Sequence, residues 1–340
     1  MVKQQIKRGL QQIASIAGPK IWKAGREPRL LILTYHRILP AEHGDRYVEQ
    51  PGMIVEPKTL RLHLEFLAEY FEFVHLDEWI SSSLHNESLP KLACAITFDD
   101  GWRDNFDHAL PELIEAQVPA TVFLVSDLVG TQYSFWPNRI MDLATTWGRI
   151  EVPPEFPNRI LNWLAEIGLS AAILEGGATQ EQVDSAIEVA KRYSDSEIKG
   201  VLDRIESVLP QPETKERDLL GWDEVRAMQK TGLVRFGSHT CTHTRLREGL
   251  SNSVLEREVA ESSQVITNQL GERPSIFCYP NGNYCQRALD VVRDYYDGGV
   301  TTKRGWNRVG DDRFLLSRVG LHNDAVNDKV SLFGRICGIG

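Results

Sequence analysis

Short apolar runs alternate with amphipathic segments along most of the chain. Runs of strand length occur in RLLILTY, LACAITF, PATVFLV, LVRFGS and SIFC, and segments with the apolar spacing of a helix lie between most of them. The apolar residues of these runs are nearly continuous, which is typical of parallel strands that are covered on both faces. Strands that alternate with helices predict a parallel α/β sheet, either open or closed into a barrel.

The middle of the chain breaks this alternation. Residues from about 145 to 219 contain helical patterns without intervening strands, and Thr179 and Gln182 have the spacing of a capping box. Ser194 or Ser196 is expected to cap the following helix. We interpret this segment as a helical insertion or lid within one domain that spans residues 28–340.

Residues 1–27 form a basic amphipathic segment. The first 29 residues hold seven basic residues and one acidic residue, a net charge of +6, whereas the rest of the chain carries −15. Gly18 and Pro19 are expected to end the helix. Such a helix predicts either peripheral contact with an anionic membrane face or packing on the protein's own surface. Its apolar positions, at three- and four-residue steps, are Val2, Ile6, Leu10, Ile13 and Ile16.

The overall composition is that of a soluble globular protein. Of the 340 residues, 42% are hydrophobic and 25% are charged, and the net charge of −9 argues against binding to nucleic acid through a broad basic surface. No apolar run reaches the roughly 18 residues of a spanning helix, and no signal peptide is expected. Five cysteines without a CxxC pair predict reduced thiols, a cytoplasmic location and no cysteine-bound structural zinc.

Polar residues that are able to bind a metal or transfer a proton follow several of the predicted strands directly. His36 comes after the first run, the pair Asp99 and Asp100 after the second, and His239 after the fourth. In parallel β/α folds the carboxyl ends of the strands share one face, where reacting groups collect. These residues are therefore expected to meet at one rim.

Two adjacent carboxylates resist ionising together, so Asp99 and Asp100 require a positive charge nearby. His239 and His243, in HTCTH, together with a carboxylate from another strand provide the three protein ligands of a catalytic metal site. We therefore expect a divalent cation there. Zinc is the first choice, and mixed nitrogen and oxygen ligands also permit cobalt or nickel.

Three segments carry a resemblance to a known family. TFDDG, GSHTCTH and FCYPNG, in this order, resemble the motifs of the polysaccharide deacetylase family, which is carbohydrate esterase family 4 or the NodB homology domain. The similarity covers roughly residues 28–136 and 220–321. It implies an irregular (β/α) barrel with fewer than eight strands and a metal-dependent hydrolysis of N-acetyl groups on amino sugars.

The resemblance also assigns roles to the site residues. It implies that Asp99 is the general base and that Asp100 binds the metal together with His239 and His243. The chemistry agrees with this division, because a metal acidifies water and polarises a carbonyl, while a neighbouring free carboxylate removes the proton.

Two histidines can supply the proton for the leaving amine. Family members commonly use a histidine near the end of the domain, which corresponds to His322 in RVGLHND. LTYHRI instead resembles a branch that includes poly-N-acetylglucosamine deacetylases, in which the acid comes from the first strand. That corresponds to His36, which we prefer.

One position departs from the family pattern. Cys278 stands in FCYPNG where many members carry the arginine that orients the base. Either another residue, such as Arg103 or Arg318, orients Asp99, or the basicity of Asp99 is set in a different way.

Substrate contacts are predicted around the same rim. Flat apolar rings suit the C–H faces of a pyranose, so Trp102 and Trp136 are expected to stack on sugars. The remaining predicted substrate contacts come from the YPNG segment, namely Tyr279, Pro280, Asn281 and Gly282.

The expected partner is an N-acetylated glycan of the cell envelope or an exopolysaccharide, including a lipid-linked intermediate at the inner face of the membrane. Two alternatives stay open from the sequence. One is a deformylase or amidase acting on another small amide or sugar, and the other is a non-catalytic glycan-binding domain of the same fold.

Overall fold

The computed structural model describes residues 2–25, 27–44, 49–147, 156–208, 217–323 and 325–339. The chain folds into two compact units. The first comprises Met1–Ala41, Pro51–Thr131 and Arg217–Gly340, and the second comprises Glu42–Gln50 and Gln132–Glu216.

The first unit is built on a mainly parallel sheet. Its strands within the described residues are β1 Arg29–Tyr35, β2 Arg37–Ile38, β3 Ile54–Val55, β4 Glu72–Phe73, β5 Leu92–Phe98, β6 Ala120–Leu124, β7 Val234–Ser238, β8 Ile276–Cys278, β9 Gly298–Val300, β10 Asn307–Arg308 and β11 Val319–Gly320. Strands β1, β5, β6, β7, β8 and β9 are parallel neighbours in that order. β4 pairs with β5, β10 is antiparallel to β1, and β2 and β3 form a separate small sheet.

The segment that contains β11 closes this sheet into a barrel. Leu316 bridges Val300 of β9 in parallel, and Val319 of β11 pairs in parallel with Leu33 of β1. The closing segment is the seventh parallel element of the barrel. This confirms the predicted irregular (β/α) barrel with fewer than eight strands.

Both faces of the barrel strands are buried, which explains their continuous apolar sequence. In β1, Leu30 and Ile32 belong to the cluster inside the barrel. Leu31 and Leu33 belong to the larger cluster between the barrel and the surrounding helices. The two-residue repeat of a strand therefore decides which side chains enter the barrel.

One group of helices surrounds the barrel in the first unit, and another group forms the second unit. Within the described residues they are α1 Val2–Ala24, α2 Pro57–Ala68, α3 Leu76–Leu84, α4 Leu110–Ala116, α5 Trp136–Thr146, α6 Asn158–Glu166, α7 Ala171–Gly176, α8 Gln180–Ala190, α9 Asp195–Val208, α10 Trp222–Gln229, α11 Asn252–Glu256, α12 Ser262–Leu270, α13 Gln286–Tyr295 and α14 Lys329–Ile336. Among the residues that the structure describes, no helix combines the length and the apolar character needed to cross a membrane.

Helix α1 is longer than the sequence pattern indicated. It continues through Gly18 and Pro19 to Ala24, so the predicted stop was wrong. Beyond this point Trp22 is buried and packs against Phe333 of α14, with ring centroids 5.5 Å apart. This packing supplies a tertiary contact that outweighs the local preference for a helix end.

The second unit is helical and has its own core. It contains α5 to α9, whose buried side chains form one cluster of their own. Its helices start at Trp136, earlier than the position of about 145 that the sequence indicated. The capping box at α8 is confirmed, because the Gln182 N–H donates to Thr179 Oγ1 at 3.3 Å and the Thr179 N–H donates to Gln182 Oε1 at 2.9 Å.

Candidate active site

Strand periodicity directs three of the predicted residues to the inner side of the barrel mouth. In β5, Ala93 and Ala95 face the inner cluster, so the repeat places Asp99 on the same side just beyond the strand. The same repeat along β1 and β7 directs His36 and His239 inward. The side chains that meet at this rim therefore come from segments far apart in the sequence.

β7 packs closely against β6 because Gly237, one of its residues, has no side chain. A Cβ on Gly237 would lie 2.5 Å from the ring of Phe123, which fills the inner cluster. Glycine therefore lets β7 lie close beside β6 and carry His239 to the rim two residues later.

Asp100, His239 and His243 form a compact set of donor atoms. Asp100 Oδ1 lies 3.4 Å from His239 Nε2 and 3.3 Å from His243 Nε2. One donor atom from each residue lies within 4.8 Å of the others. Two imidazoles and one carboxylate leave further coordination positions open, so the donor set fits a catalytic divalent cation.

The tautomer of His239 suits a metal ligand. Its Nδ1 lies 2.7 Å from the main-chain oxygen of Cys278, to which it donates. The lone pair is thereby directed to Nε2, the atom that faces Asp100. Such an outer hydrogen bond fixes the ring and raises its basicity as a ligand.

The charges of this set depend on one another. Burial opposes ionisation, but hydrogen bonds from His239 and His243 hold the pKa of Asp100 well below its usual value. Burial likewise opposes a charged imidazole, yet Cys278 and Asp100 nearby raise the pKa of His239 well above its usual value. A cation bound here would replace the proton that His239 otherwise shares with the carboxylate.

The backbone is strained where it presents these ligands. Asp100 has a φ of 75°, Thr240 a φ of 69° and His243 a φ of 60°. Left-handed backbone at residues other than glycine costs about 1–3 kcal/mol each and persists where the surroundings enforce it. Strain at two residues of the donor set, Asp100 and His243, and at Thr240 beside His239 is consistent with a functional site.

Asp99 lies beside this set and has a different partner. Arg318 donates from Nη1 to Asp99 Oδ1 and from Nη2 to Oδ2, both at 2.7 Å. Burial alone would raise the pKa of Asp99, but the charge of Arg318 and its hydrogen bonds lower the pKa below its usual value. Asp99 is therefore held ionised although it is buried.

Arg318 makes the contact to Asp99 that the sequence left unassigned. It is buried, it comes from the segment that closes the barrel, and its Nη2 also lies 3.2 Å from Cys278 Sγ. Arg103, the other residue considered from the sequence, instead donates to Glu224 Oε1 at 3.1 Å. The alternative of Arg318 is thus the one that the geometry supports.

His36 is another neighbour of Asp99 at this rim. Its Nε2 is 3.8 Å from Asp99 Oδ2, and about a quarter of its side chain is exposed. The amide of Asn105 donates to the main-chain oxygen of His36 at 2.8 Å and fixes this turn. His322 follows β11 and is half-buried, and its carbonyl accepts the N–H of Ala325 at 3.0 Å.

Several predicted sugar contacts are placed elsewhere than expected. Trp102 is 2% exposed, and its indole donates to Asp100 Oδ2 at 3.0 Å, so it holds a ligand rather than presenting a face to a sugar. Tyr279 is fully buried against Phe277 in an apolar cluster. The burial of the Trp102 ring disfavours stacking on a sugar, and the sequence does not show which aromatic rings other segments cover. Tyr279 was predicted as part of the YPNG segment rather than for its ring, so it stays a prediction.

The remaining predicted contacts differ in exposure. Pro280 is buried, Asn281 is exposed with a φ of 58°, and Gly282 is partly exposed with a φ of 69°. Trp136 belongs to the core of the second unit and is 5% exposed. Tyr279, Pro280, Asn281 and Gly282 all stay predictions as substrate contacts. The ring of Trp136 packs inside the core of the second unit.

Two π-helical turns support the site, and the sequence did not reveal them. The turn Asn105–Ala109 carries the amide that fixes His36. The turn Arg257–Glu261 carries Glu258, whose carboxylate accepts the Thr242 N–H at 2.9 Å and so holds the loop before His243. π-Turns often occur at functional sites. No local pattern links residue 258 to residue 242, so this support was not predictable.

The arrangement can perform hydrolysis. A buried carboxylate that stays ionised, Asp99, adjoins a set of donor atoms that fits a cation, and the partly exposed imidazole of His36 lies 3.8 Å from the same carboxylate. These are the parts of a general base, an electrophilic centre and a general acid.

Comparison with known proteins agrees with this geometry. The family model described as polysaccharide deacetylase matches residues 86–296. The chain is 25% identical over 299 residues to YxkH of Bacillus subtilis (strain 168), a protein named for the same activity, and the match covers 87% of this chain and 73% of that protein.

Solved structures share the fold. The deacetylase PplD of Streptococcus pyogenes, in complex with acetate, matches with a TM-score of 0.59 at 18% identity and covers 90% of this chain and 98% of its own. IcaB from Ammonifex degensii matches with a TM-score of 0.57 at 17% identity over 91% of this chain and 97% of its own.

Proposed function

The chain belongs to the polysaccharide deacetylase family, and from this premise we propose that it is a metal-dependent hydrolase that removes N-acetyl groups from N-acetylhexosamine units of a glycan. The observation that carries the proposal is that the adjacent residues Asp99 and Asp100 have different partners. Oδ1 of Asp100 faces two imidazoles, whereas both oxygens of Asp99 accept hydrogen bonds from Arg318. Asp99 also lies near His239 and Cys278, with one donor atom from each of the three within 4.8 Å of the others. Its pairing with Arg318 nevertheless distinguishes it from Asp100. Metal-assisted hydrolysis of an acetamide with a general base uses both arrangements.

Asp100, His239 and His243 would hold the cation. A divalent cation at this position supplies positive charge that polarises the acetyl carbonyl and makes water more acidic. Zinc is the proposed ion, and the same nitrogen and oxygen donors accept cobalt or nickel.

Asp99 acts as the general base in this proposal. Arg318 keeps the carboxylate ionised and fixes its orientation through two hydrogen bonds, so the carboxylate is ready to accept a proton from water. Because Arg318 cannot lose its own proton in the working pH range, it acts by position and charge.

His36 is the proposed general acid for the leaving amine. Its Nε2 lies 3.8 Å from Asp99 Oδ2 and is partly exposed, so both the site and the substrate are within its reach. His322 is the second choice, because it follows β11 beside the end of β1.

The test is acetate release from N-acetylated oligosaccharides with and without a chelator. We expect release that stops on chelation and returns when zinc, cobalt or nickel is restored. Release of formate or ammonia instead would assign the chain to another amide hydrolase. Stoichiometric glycan binding without any turnover by the metal-loaded protein would identify a binding domain.

We further propose that the substrate is lipid-linked and is met at the inner face of a membrane. Helix α1 supports this, because Ile6, Leu10 and Ile13 lie on one face and are 58%, 48% and 64% exposed. Its opposite face, which includes Trp22, is packed on the barrel unit. Aliphatic side chains on a basic segment suit the interface of an anionic lipid layer.

Vesicle flotation tests this contact. We expect the full chain to float with vesicles that contain phosphatidylglycerol and not with pure phosphatidylcholine. Replacement of Ile6, Leu10 and Ile13 by serine should abolish flotation, whereas serine at Leu84 and Ile114, which are also exposed, should not. Equal flotation of both variants, or none for the native chain, would contradict the membrane contact.

A further inference from the structure

The two carboxylate oxygens of Asp100 have different partners, and Trp102 is the partner of one of them. Its indole Nε1 donates to Oδ2 at 3.0 Å, and the ring is 2% exposed. Oδ1 is the atom that faces His239 and His243, at 3.4 Å and 3.3 Å. One oxygen is therefore held by the protein, and the other is left for the cation.

The main chain around Trp102 is fixed on both sides. Trp102 forms an antiparallel bridge with Leu219. The N–H of Leu220 donates to the oxygen of Gly101, and the N–H of Arg103 donates to the oxygen of Asp218, both at 2.8 Å. These contacts hold the main chain from which the indole extends toward Asp100.

A buried cation lies over the same ring. The guanidinium carbon of Arg37 is 4.3 Å from the centre of the Trp102 ring. Arg37 is itself held by Asp104, whose Oδ2 accepts from Nε at 2.9 Å, and Asp104 Oδ1 accepts the N–H of Ile38 at 2.7 Å. A cation over an indole face draws electron density from the ring, which strengthens its N–H as a donor.

The backbone of Asp100 makes such support necessary. Its φ of 75° lies in the left-handed region, where an aspartate is not held by the strand ladder. The Asp100 carboxylate is buried, so an oxygen without a donor would be costly. Trp102 supplies that donor from two residues away.

We propose that Trp102 is a positioning residue for the metal site, which holds Asp100 Oδ2 so that Oδ1 is aimed at the cation. The inference rests on the proposed function, because it requires that the ligand set binds a divalent cation. Outer partners of metal ligands are worth about 10–100-fold in metal affinity. We expect Arg37 to reinforce the effect through the ring.

The test is the dissociation constant for zinc or cobalt, measured by chelator competition on the full chain. Trp102→Phe keeps the ring and removes the donor, and it should weaken binding by about 10–100-fold. The ligand-field spectrum of bound cobalt should also change. Turnover should recover largely at saturating metal, because the bound site is otherwise intact.

Trp79→Phe is the matched control. Trp79 is 4% exposed and lies in the inner cluster, and its indole nitrogen has no hydrogen-bond partner among the described residues. This variant loses an indole N–H from a buried position and should leave the metal dissociation constant unchanged. Thermal unfolding of the metal-free proteins reports any general loss of structure in either variant.

Arg37→Lys provides a second variant if Trp102→Phe does not fold. It retains a cation for Asp104 but removes the planar guanidinium from the ring, and it should weaken metal binding by a few-fold. An unchanged dissociation constant and cobalt spectrum in Trp102→Phe, or in Arg37→Lys where that variant alone folds, would overturn the inference. If the native chain binds no divalent cation, the proposed function itself fails.

Discussion

Arg318 holds both carboxylate oxygens of Asp99 at 2.7 Å, although 219 residues separate the two in the sequence. Both side chains are almost fully buried. The pair joins the end of β5 to the segment that closes the barrel. The segment that closes the barrel therefore also supplies the charge that keeps the proposed base ionised.

Arg318→Lys should lower kcat by about 10²-fold or more while the protein still binds its metal. Lysine is a point charge and cannot make the two parallel hydrogen bonds that fix Asp99. The pKa of Asp99 should rise because part of its compensation is lost, so the acid limb of the kcat/KM profile should move to higher pH. Steady-state acetate release across pH measures both effects.

Arg235→Lys is the control for this substitution. Arg235 pairs with Asp77 on a more exposed part of the barrel and should tolerate lysine without a change in kcat. Equal kcat and the same pH profile in Arg318→Lys and the native chain would remove Arg318 from the proposed mechanism.

The barrel and the position of its rim follow from the sequence because both depend on local patterns. Continuous apolar runs mark buried parallel strands, and the two-residue repeat then decides that Asp99, His36 and His239 face inward. The closing segment was harder to recognise, since Leu316–Gly320 makes few regular ladder pairs.

Contacts between distant segments could not be predicted. Arg318 was one of two possibilities, and only the closed barrel distinguishes it from Arg103. Trp102 was expected to face a sugar, but it is buried, the main chain around it is bonded to the Asp218–Leu220 segment, and its indole donates to Asp100. The sequence shows that a ring is apolar. The direction in which the ring points depends on how other segments pack against it.

His36→Ala should reduce turnover by about 10²–10⁴-fold and leave metal stoichiometry unchanged, because the imidazole is proposed to protonate the leaving amine. His322→Ala should retain most activity. The measurement is acetate release at saturating metal, with bound metal determined on the same samples. Full turnover by His36→Ala together with loss of turnover by His322→Ala would transfer the role of acid to His322.

The stability of the barrel unit should depend on pH through His63, which is buried outside the proposed site. Its Nε2 donates to the oxygen of Val326 at 2.6 Å, and the Tyr35 hydroxyl donates to Nδ1 at 3.1 Å. Burial lowers the pKa of His63 from 6.5 to about 4. As pH falls through this range, the unfolded chain binds the proton first, so the free energy of unfolding should decrease by up to about 1.4 kcal/mol per pH unit.

Urea unfolding between pH 7 and pH 4.5 measures this dependence. His63→Gln keeps hydrogen-bonding groups but cannot titrate, so its free energy of unfolding should fall less steeply with decreasing pH than that of the native chain. Parallel curves for the two proteins would show that His63 does not carry the dependence. His85→Gln, at an exposed histidine, should behave as the native chain does.

The central claim is that Asp100 binds the cation while its neighbour Asp99 stays free to act as a base. The most direct measurement is bound metal per chain, together with acetate release, for Asp99→Asn and Asp100→Asn after exposure to zinc. The account predicts that Asp99→Asn keeps its metal and loses release by at least about 10²-fold, whereas Asp100→Asn loses the metal itself. Loss of metal from Asp99→Asn, or a fully loaded Asp100→Asn, would contradict it.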